Sequence, residues 1–261
     1  MSSSFTGLEV ETRDGVMDVR LNLNENNRLD QEAFARLRDV WENVGRNPDV
    51  RAMVLSSSVP GFFTNGLAPE MFLDRSESEV REAVEIMTAS TGALFACPIP
   101  VVCLIQGHCM GAGTVFALLS DYRFMADKGA RIGFPESAIA MNFPAFSAVV
   151  LKDLVGTRGA RDLLYSGKLM KGPEALDVGL VDSVHAGDEV EARARKQATS
   201  LAALQPGASR GIKEGLRRDY LNRMDELVKK DRELLTATIL TADAQEGFRS
   251  IVENRRPRFP G

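Results

Sequence analysis

Two histidines and three cysteines are all that 261 residues offer of the side chains that build metal centres and thiol- or imidazole-based triads. The cysteines, Cys97, Cys103 and Cys109, are odd in number, form no Cys-x-x-Cys pair and lie in apolar sequence. They read as small buried side chains rather than a disulfide framework or a metal site. No serine elbow or cysteine partner accompanies His108 or His185, so a nucleophilic triad is not expected. No apolar run reaches the length of a membrane span, and "MSSSFTGLEVETRDG" lacks the basic start and apolar centre of a signal peptide, which predicts a cytoplasmic protein. There is no excess of basic charge either. A net charge of −4 gives no general attraction to nucleic acid or anionic membrane, and small molecules or proteins are the expected partners. What the chain does have, 44% hydrophobic and 26% charged residues, suits a protein with a full core, in one large domain or in one plus a small appendage.

Strand-like and helix-like segments alternate. "GVMDVRLNL" reads as a strand; Asp30 then caps a helix whose Phe34, Leu37, Val40, Trp41 and Val44 recur on one face. "RAMVLSS" is a second strand. Ser76 with Glu79 forms a capping box before a helix to about Leu94, and "IPVVCLIQG" is the next strand. "YRFMADKGARIGF" predicts a short pair of strands with Lys128 and Gly129 at the turn, followed by a helix near Ala145–Leu154. "GPEALDVGLVDSVHA" gives a short helix, with Pro173 in its first turn, and a last strand. Helices take over from Glu189; "QPGASRG" predicts a break at Gln205–Gly211, and Leu216, Tyr220, Met224 and Leu227 an amphipathic helix beyond it. The class is α/β, with a core over 1–200 and a helical region over 201–261.

Two segments share one logic. "VLSSSVPGFFTNGL" and "CLIQGHCMGAG" each run from a strand through a glycine-containing turn to the start of a helix. Glycine at such a turn lets backbone come close to something or adopt positive φ. Two such turns side by side can aim two N–H groups at one point, as in an oxyanion hole.

These segments resemble the crotonase superfamily, the enoyl-CoA hydratase/isomerase family, over essentially the full length. "NLNENNRL" resembles the first turn, with Asn27–Leu29 fitting the family's Asn-x-Leu; "PGFFTNGLAPEMF" resembles the first oxyanion segment, "IQGHCMGAGTVFALLSDYRF" the second, and "TADAQEGFRSIVENRRPRF" the C-terminal signature. The resemblance implies a spiral of ββα units followed by a C-terminal helical trimerisation domain, assembled as a homotrimer or dimer of trimers. It also implies a thioester carbonyl held by the N–H groups of Leu67, after Gly66, and Ala112, between Gly111 and Gly113. The substrate would be an acyl-CoA or carrier-bound acyl chain, with coenzyme A part of the substrate, no separate cofactor and no metal. Arg28 in the first turn, and Arg255 and Arg256 near the C-terminus, are the candidates for meeting the phosphates.

Hydratases of this family resemble one another in carrying two acids, one just after the small-residue motif and one at a later "PE". Here the first position is Val115, beside Thr114, while Glu136 keeps the second. One carboxylate that takes a proton from one carbon and returns it to another suffices to shift a double bond, so the pattern is closest to the Δ3,Δ2-enoyl-CoA isomerases; "GLAPEMF" and "LKDLVG" support the comparison. A hydratase, decarboxylase or thioester hydrolase, and a non-catalytic acyl-CoA binder, stand beside this reading. Phe134, Ile139, Met141, Phe143 and Phe146 are expected to wall Glu136 in apolar surroundings and raise its pKa toward that of a working base. Glu70 and Asp74 are the competing acids, expected on a solvated helix start. His108 is expected to be a satisfied structural residue, His185 an edge or surface residue, and Asp121 with Arg123 a structural pair or a turn acid.

Overall fold

The computed structural model describes residues 2–5 and 7–261, with side chains from residue 7 onward. Strands β1 (Ser2–Phe5), β2 (Leu8–Arg13) and β3 (Val16–Leu21) form an antiparallel meander. Its second turn places Asp14 and Gly15 both at positive φ, +51° and +80°, the two-residue hairpin that Asp-Gly favours. Helix α1 (Gln31–Val44) starts where Asp30 accepts a 2.8 Å bond from the Ala33 N–H, and it buries Phe34, Leu37, Trp41 and Val44.

Three ββα units follow: β4 (Ala52–Ser57), β5 (Phe62–Thr64) and α2 (Glu77–Ala96); β6 (Val101–Ile105), β7 (His108–Met110) and α3 (Ala112–Leu119); β8 (Tyr122–Ala126), β9 (Ile132–Gly133) and α4 (Ala145–Ser166). The first strand of each unit joins one sheet and the second joins another. After α5 (Gly172–Asp177), β10 (Ser183–His185) completes the larger sheet, in the order β1-β2-β3-β4-β6-β8-β10; the smaller sheet is β5-β7-β9, parallel throughout. From β3 outward the large sheet is also parallel. Its interior strand β6, "VVCLI", is buried at every residue, as expected of a parallel strand covered on both faces. The chain then runs through α6 (Val190–Ala202), α7 (Pro206–Ile239) and α8 (Ala242–Val252). Among the described residues no helix is long and apolar enough to cross a membrane.

The Ser76–Glu79 capping box forms at α2, which runs two residues past Leu94, and all three cysteines are free and buried. His185 stacks on Phe124 in the edge strand β10. Three expectations fail. The strands on either side of Lys128 and Gly129 exist but do not pair with each other, because β8 belongs to the large sheet and β9 to the small one. The break expected at 205–211 falls at 203–205 instead, between α6 and α7. Gln205 caps α7 by accepting from the Ala208 N–H at 2.7 Å, Pro206 sits in the first turn where its missing N–H costs nothing, and the helix continues for 34 residues. Finally, Asp121 and Arg123 do not pair through their side chains. Arg123 meets Asp182 at 2.9 Å, while Asp121 takes Lys213 and Arg217 of α7, each at 2.7 Å.

Candidate active site

The three strands of the small sheet run parallel, so their carboxyl ends lie along one edge, the edge at which open parallel sheets commonly bind ligands. Leu67 follows β5 by three residues, Ala112 follows β7 by two and Glu136 follows β9 by three. The architecture therefore gathers all three to one place. All three line a cleft whose walls include Met87, Val115, Phe146 and Leu235. They also line a second, outer cleft reaching Gly66, Gly111 and Ile251 of α8.

Each turn is held by named contacts. Asn27, fully buried, donates from Nδ2 to Ser57 Oγ at 2.7 Å and to the carbonyls of Leu21 and Phe63 at 3.2 Å, and accepts from the Leu23 N–H at 2.9 Å. This fixes the first turn, and Leu29 then pairs with the segment after β5: the Leu29 N–H donates to Gly66 O and the Ala68 N–H to Leu29 O, both at 2.9 Å. Those two bonds leave the Leu67 N–H facing away from Leu29. Among the described residues neither Leu67 nor Ala112 donates a backbone hydrogen bond. Ala112 is the first residue of α3, where the helix offers an unsatisfied N–H and the positive end of its dipole.

The two glycines beside Ala112 have different duties. A Cβ on Gly113 would lie 2.0 Å from Thr64 Cγ2, so this glycine lets α3 pack against the end of β5. Gly111 is held at φ +51°, and a Cβ there would stand 3.4 Å from Glu136 Oε1. The carboxylate thus lies beside the turn that presents the Ala112 N–H. Thr114 Oγ1 ties the same turn to both neighbouring strands, lying 2.7 Å from Cys109 O and 2.8 Å from Gly133 O.

Glu136 as a whole is half-buried, but its Oε2 is out of solvent and has no hydrogen-bond partner. Burial pushes its carboxyl up to about 7, against only the weaker pull of its own backbone N–H. Of the apolar residues expected around it, Ile139, Met141 and Phe146 line the clefts; Phe134 is buried behind them with Phe143 against it, ring centroids 4.9 Å apart. Val115 is 5% exposed and lines the inner cleft.

The other candidates lie elsewhere. Glu70 is exposed in the first turn of a 3-10 segment, and Asp74 is exposed and paired with Arg249 at 2.8 Å. His108 packs on Phe62 outside both clefts, and its Nδ1 is buried without a partner instead of satisfied. Arg28, Arg255 and Arg256 line neither cleft. Arg255 is engaged with Glu246, Nη2 to Oε2 at 2.8 Å, and with Glu253, while Arg256 is exposed.

The residue that sequence reading missed is Asp231. It is 2% exposed, lines the inner cleft from α7, and caps α4 from a distance: Oδ1 accepts from the Ala145 N–H at 2.6 Å and Oδ2 from the Phe146 N–H at 3.1 Å. Burial pushes its carboxyl upward while the two N–H groups pull it down. One signal was available. Leu227, Asp231, Leu235 and Ile239 recur every four residues, so the aspartate occupies the apolar stripe of its helix.

A family model described as enoyl-CoA hydratase/isomerase matches residues 11–261. Human mitochondrial methylglutaconyl-CoA hydratase is 27% identical over 263 residues, covering 97% of this chain and 76% of that protein. The crystal structure of human mitochondrial Δ3-Δ2-enoyl-CoA isomerase superposes with a TM-score of 0.91 at 25% identity, covering 95% of this chain and 98% of the other. An enoyl-CoA hydratase/isomerase structure from Pseudoalteromonas atlantica T6c gives 0.84 at 25% identity, with coverage of 97% and 100%.

Proposed function

Because this chain belongs to the enoyl-CoA hydratase/isomerase family, whose description covers two reactions, we propose that it is the isomerase of the two: it moves a carbon–carbon double bond along an acyl thioester. The observation that carries the reading is the pairing of Glu136, a buried carboxylate with one free oxygen, with Val115 at the position of a second acid. The Glu136 carboxylate takes a proton from C2 of a 3-enoyl thioester. Charge gathers on the thioester oxygen as an enolate, and the Leu67 and Ala112 N–H groups stabilise that charge more than the neutral carbonyl. The proton then returns at C4, leaving the double bond conjugated with the thioester. Nothing in these steps requires an activated water. Asp231, the other acid of the cleft, accepts one α4 N–H on each oxygen, and its part in this reading is to anchor the start of α4.

Incubation with a 3-enoyl-CoA, a 2-enoyl-CoA and a saturated acyl-CoA tests the assignment. Conjugation of the first is expected; hydration of the second or thiol release from the third, without conjugation, would assign a different chemistry. The base must be ionised to work. With its pKa raised to about 7, kcat/KM for the 3-enoyl substrate should rise with pH below about 7 and level off above it. A profile that is flat through this range would remove Glu136 as the base.

We further propose that copies of the chain assemble through α7, as a trimer or a dimer of trimers. Ile212 and Leu216, one turn apart, are 63% and 75% exposed, and Leu234 is 47% exposed, an apolar surface that neighbouring copies would cover. Light scattering at micromolar concentration should give a trimer or hexamer mass; a monodisperse monomer would contradict this.

A further inference from the structure

The inner cleft is apolar along most of its wall but not at the end formed by α4 and α7. Ser147, in the first turn of α4, is 2% exposed and lines the cleft, yet among the described residues its hydroxyl has no hydrogen-bond partner. Asp231, equally buried, lies at the same end, with one N–H on each oxygen and further lone pairs unused. Asn142 donates from Nδ2 to Thr238 Oγ1 at 2.5 Å, and its Oδ1 accepts no bond among the described residues. A plain hydrocarbon chain filling this cleft would leave the Ser147 hydroxyl, the Asn142 Oδ1 and the spare lone pairs of Asp231 without partners, whereas alanine at 147 would have suited it better.

We propose that Ser147, Asp231 and Asn142 form a subsite for a hydroxyl group carried on the acyl chain away from the thioester. A hydroxyl suits the set because it does both things the set needs. Its O–H donates to the Asp231 carboxylate or to Asn142 Oδ1, and its oxygen accepts from the Ser147 O–H. An ammonium group suits it less. The negative charge of Asp231 already faces two N–H groups and the positive end of the α4 dipole, so it has little call for a further cation. The subsite rests on the thioester reading above, and it makes Ser147 a specificity-determining residue.

The test uses matched 3-enoyl-CoA thioesters of graded length, with and without a hydroxyl at the end remote from the thioester, assayed for conjugation. At the fitting length the hydroxylated substrate should have a kcat/KM about 3- to 10-fold higher, the worth of one net hydrogen bond. In Ser147→Ala that ratio should fall to about one, and in Ser147→Thr, which keeps the hydroxyl, it should persist. Binding of the corresponding saturated acyl-CoAs, measured by calorimetry, separates this inference from the isomerase assignment. Tighter binding of the hydroxylated chain, lost in Ser147→Ala, supports the subsite even if no double bond moves. A plain chain bound and turned over as well as its hydroxylated partner at every length, or a ratio untouched in Ser147→Ala, overturns it.

Discussion

Replacing Glu136 with glutamine should lower turnover of a 3-enoyl thioester by about 10²–10⁴-fold, the worth of a general base, with thioester binding little changed. The two side chains have the same size and reach, so the Leu67 and Ala112 turns keep their positions and only the proton acceptor is lost. No other carboxylate is placed to take over: Glu70 and Asp74 are exposed, and Asp231 is engaged with α4. The substitution should also change stability, in a direction fixed by the pKa. In the native state the carboxyl titrates at about 7, well above the ordinary glutamate range that applies to the unfolded chain. Between those two values the native protein holds the proton and the unfolded chain does not, so wild-type stability declines as pH rises through that window. Above it the whole cost of ionising Glu136 is present, at most about 3 kcal/mol. Glutamine carries no such cost. The melting temperature of Glu136→Gln relative to wild type should therefore climb as pH rises from acid to above neutral. Near-wild-type isomerisation by the variant would sink the assignment, and a stability difference independent of pH would show that the carboxyl is not desolvated.

Most of the site was legible because its parts are local. The Asp30 cap, the Ser76–Glu79 box and the strands that open at 52 and 101 depend on neighbours within a few residues, and the structure forms them there; α3 starts at Ala112 as expected, whereas the first run leads to a 3-10 turn at Pro69–Met71 and not to a helix. The division of each unit between two sheets was not legible. β5 and β9 are three and two residues long, their partners are other short parallel strands, and nothing local says that the strand after Gly129 belongs with β7 and not with β8. The glycines at 207 and 211 read as helix breakers. In the folded chain the cost of each, about 1 kcal/mol against alanine, is offset by the anchoring of the same helix through Lys213 and Arg217. Asp231 escaped for a related reason. Its partners are the N–H groups of a helix start 85 and 86 residues earlier, and only its phase on the apolar stripe hinted that it was buried.

Asp121→Ala should destabilise the protein by about 3–5 kcal/mol, because it removes the only carboxylate, among the described residues, that pairs with the buried Lys213 and the nearly buried Arg217. Lys213 is 7% exposed, with its Nζ on Asp121 and on the Ile99 carbonyl at 2.6 Å; Arg217 reaches the other Asp121 oxygen and lies over the Phe95 ring, 4.3 Å from its centroid. These contacts pin the first half of α7 to the residues that lead into β6 and β8. The second half of the same helix supplies Val228, Asp231 and Leu235 to the cleft, so loosening the anchor should also raise KM for the acyl substrate before the fold is lost. Burial already pulls the Lys213 pKa below its ordinary value, with Asp121 the main opposing influence. Without Asp121 the pKa falls further, and in the window below the ordinary lysine value the unfolded chain then binds a proton that the native state does not. The variant's stability should accordingly rise with pH across that window, where the lysine sheds its charge instead of remaining unpaired. Adding Lys213→Met should recover part of the loss, since an apolar side chain of similar reach leaves no stranded ammonium there. Denaturant melts at neutral and alkaline pH, with hydrogen exchange read along α7, measure all of this. A loss below about 1 kcal/mol, the worth of an exposed ion pair, would mean that the three charges are solvated and that α7 is held by its apolar face alone.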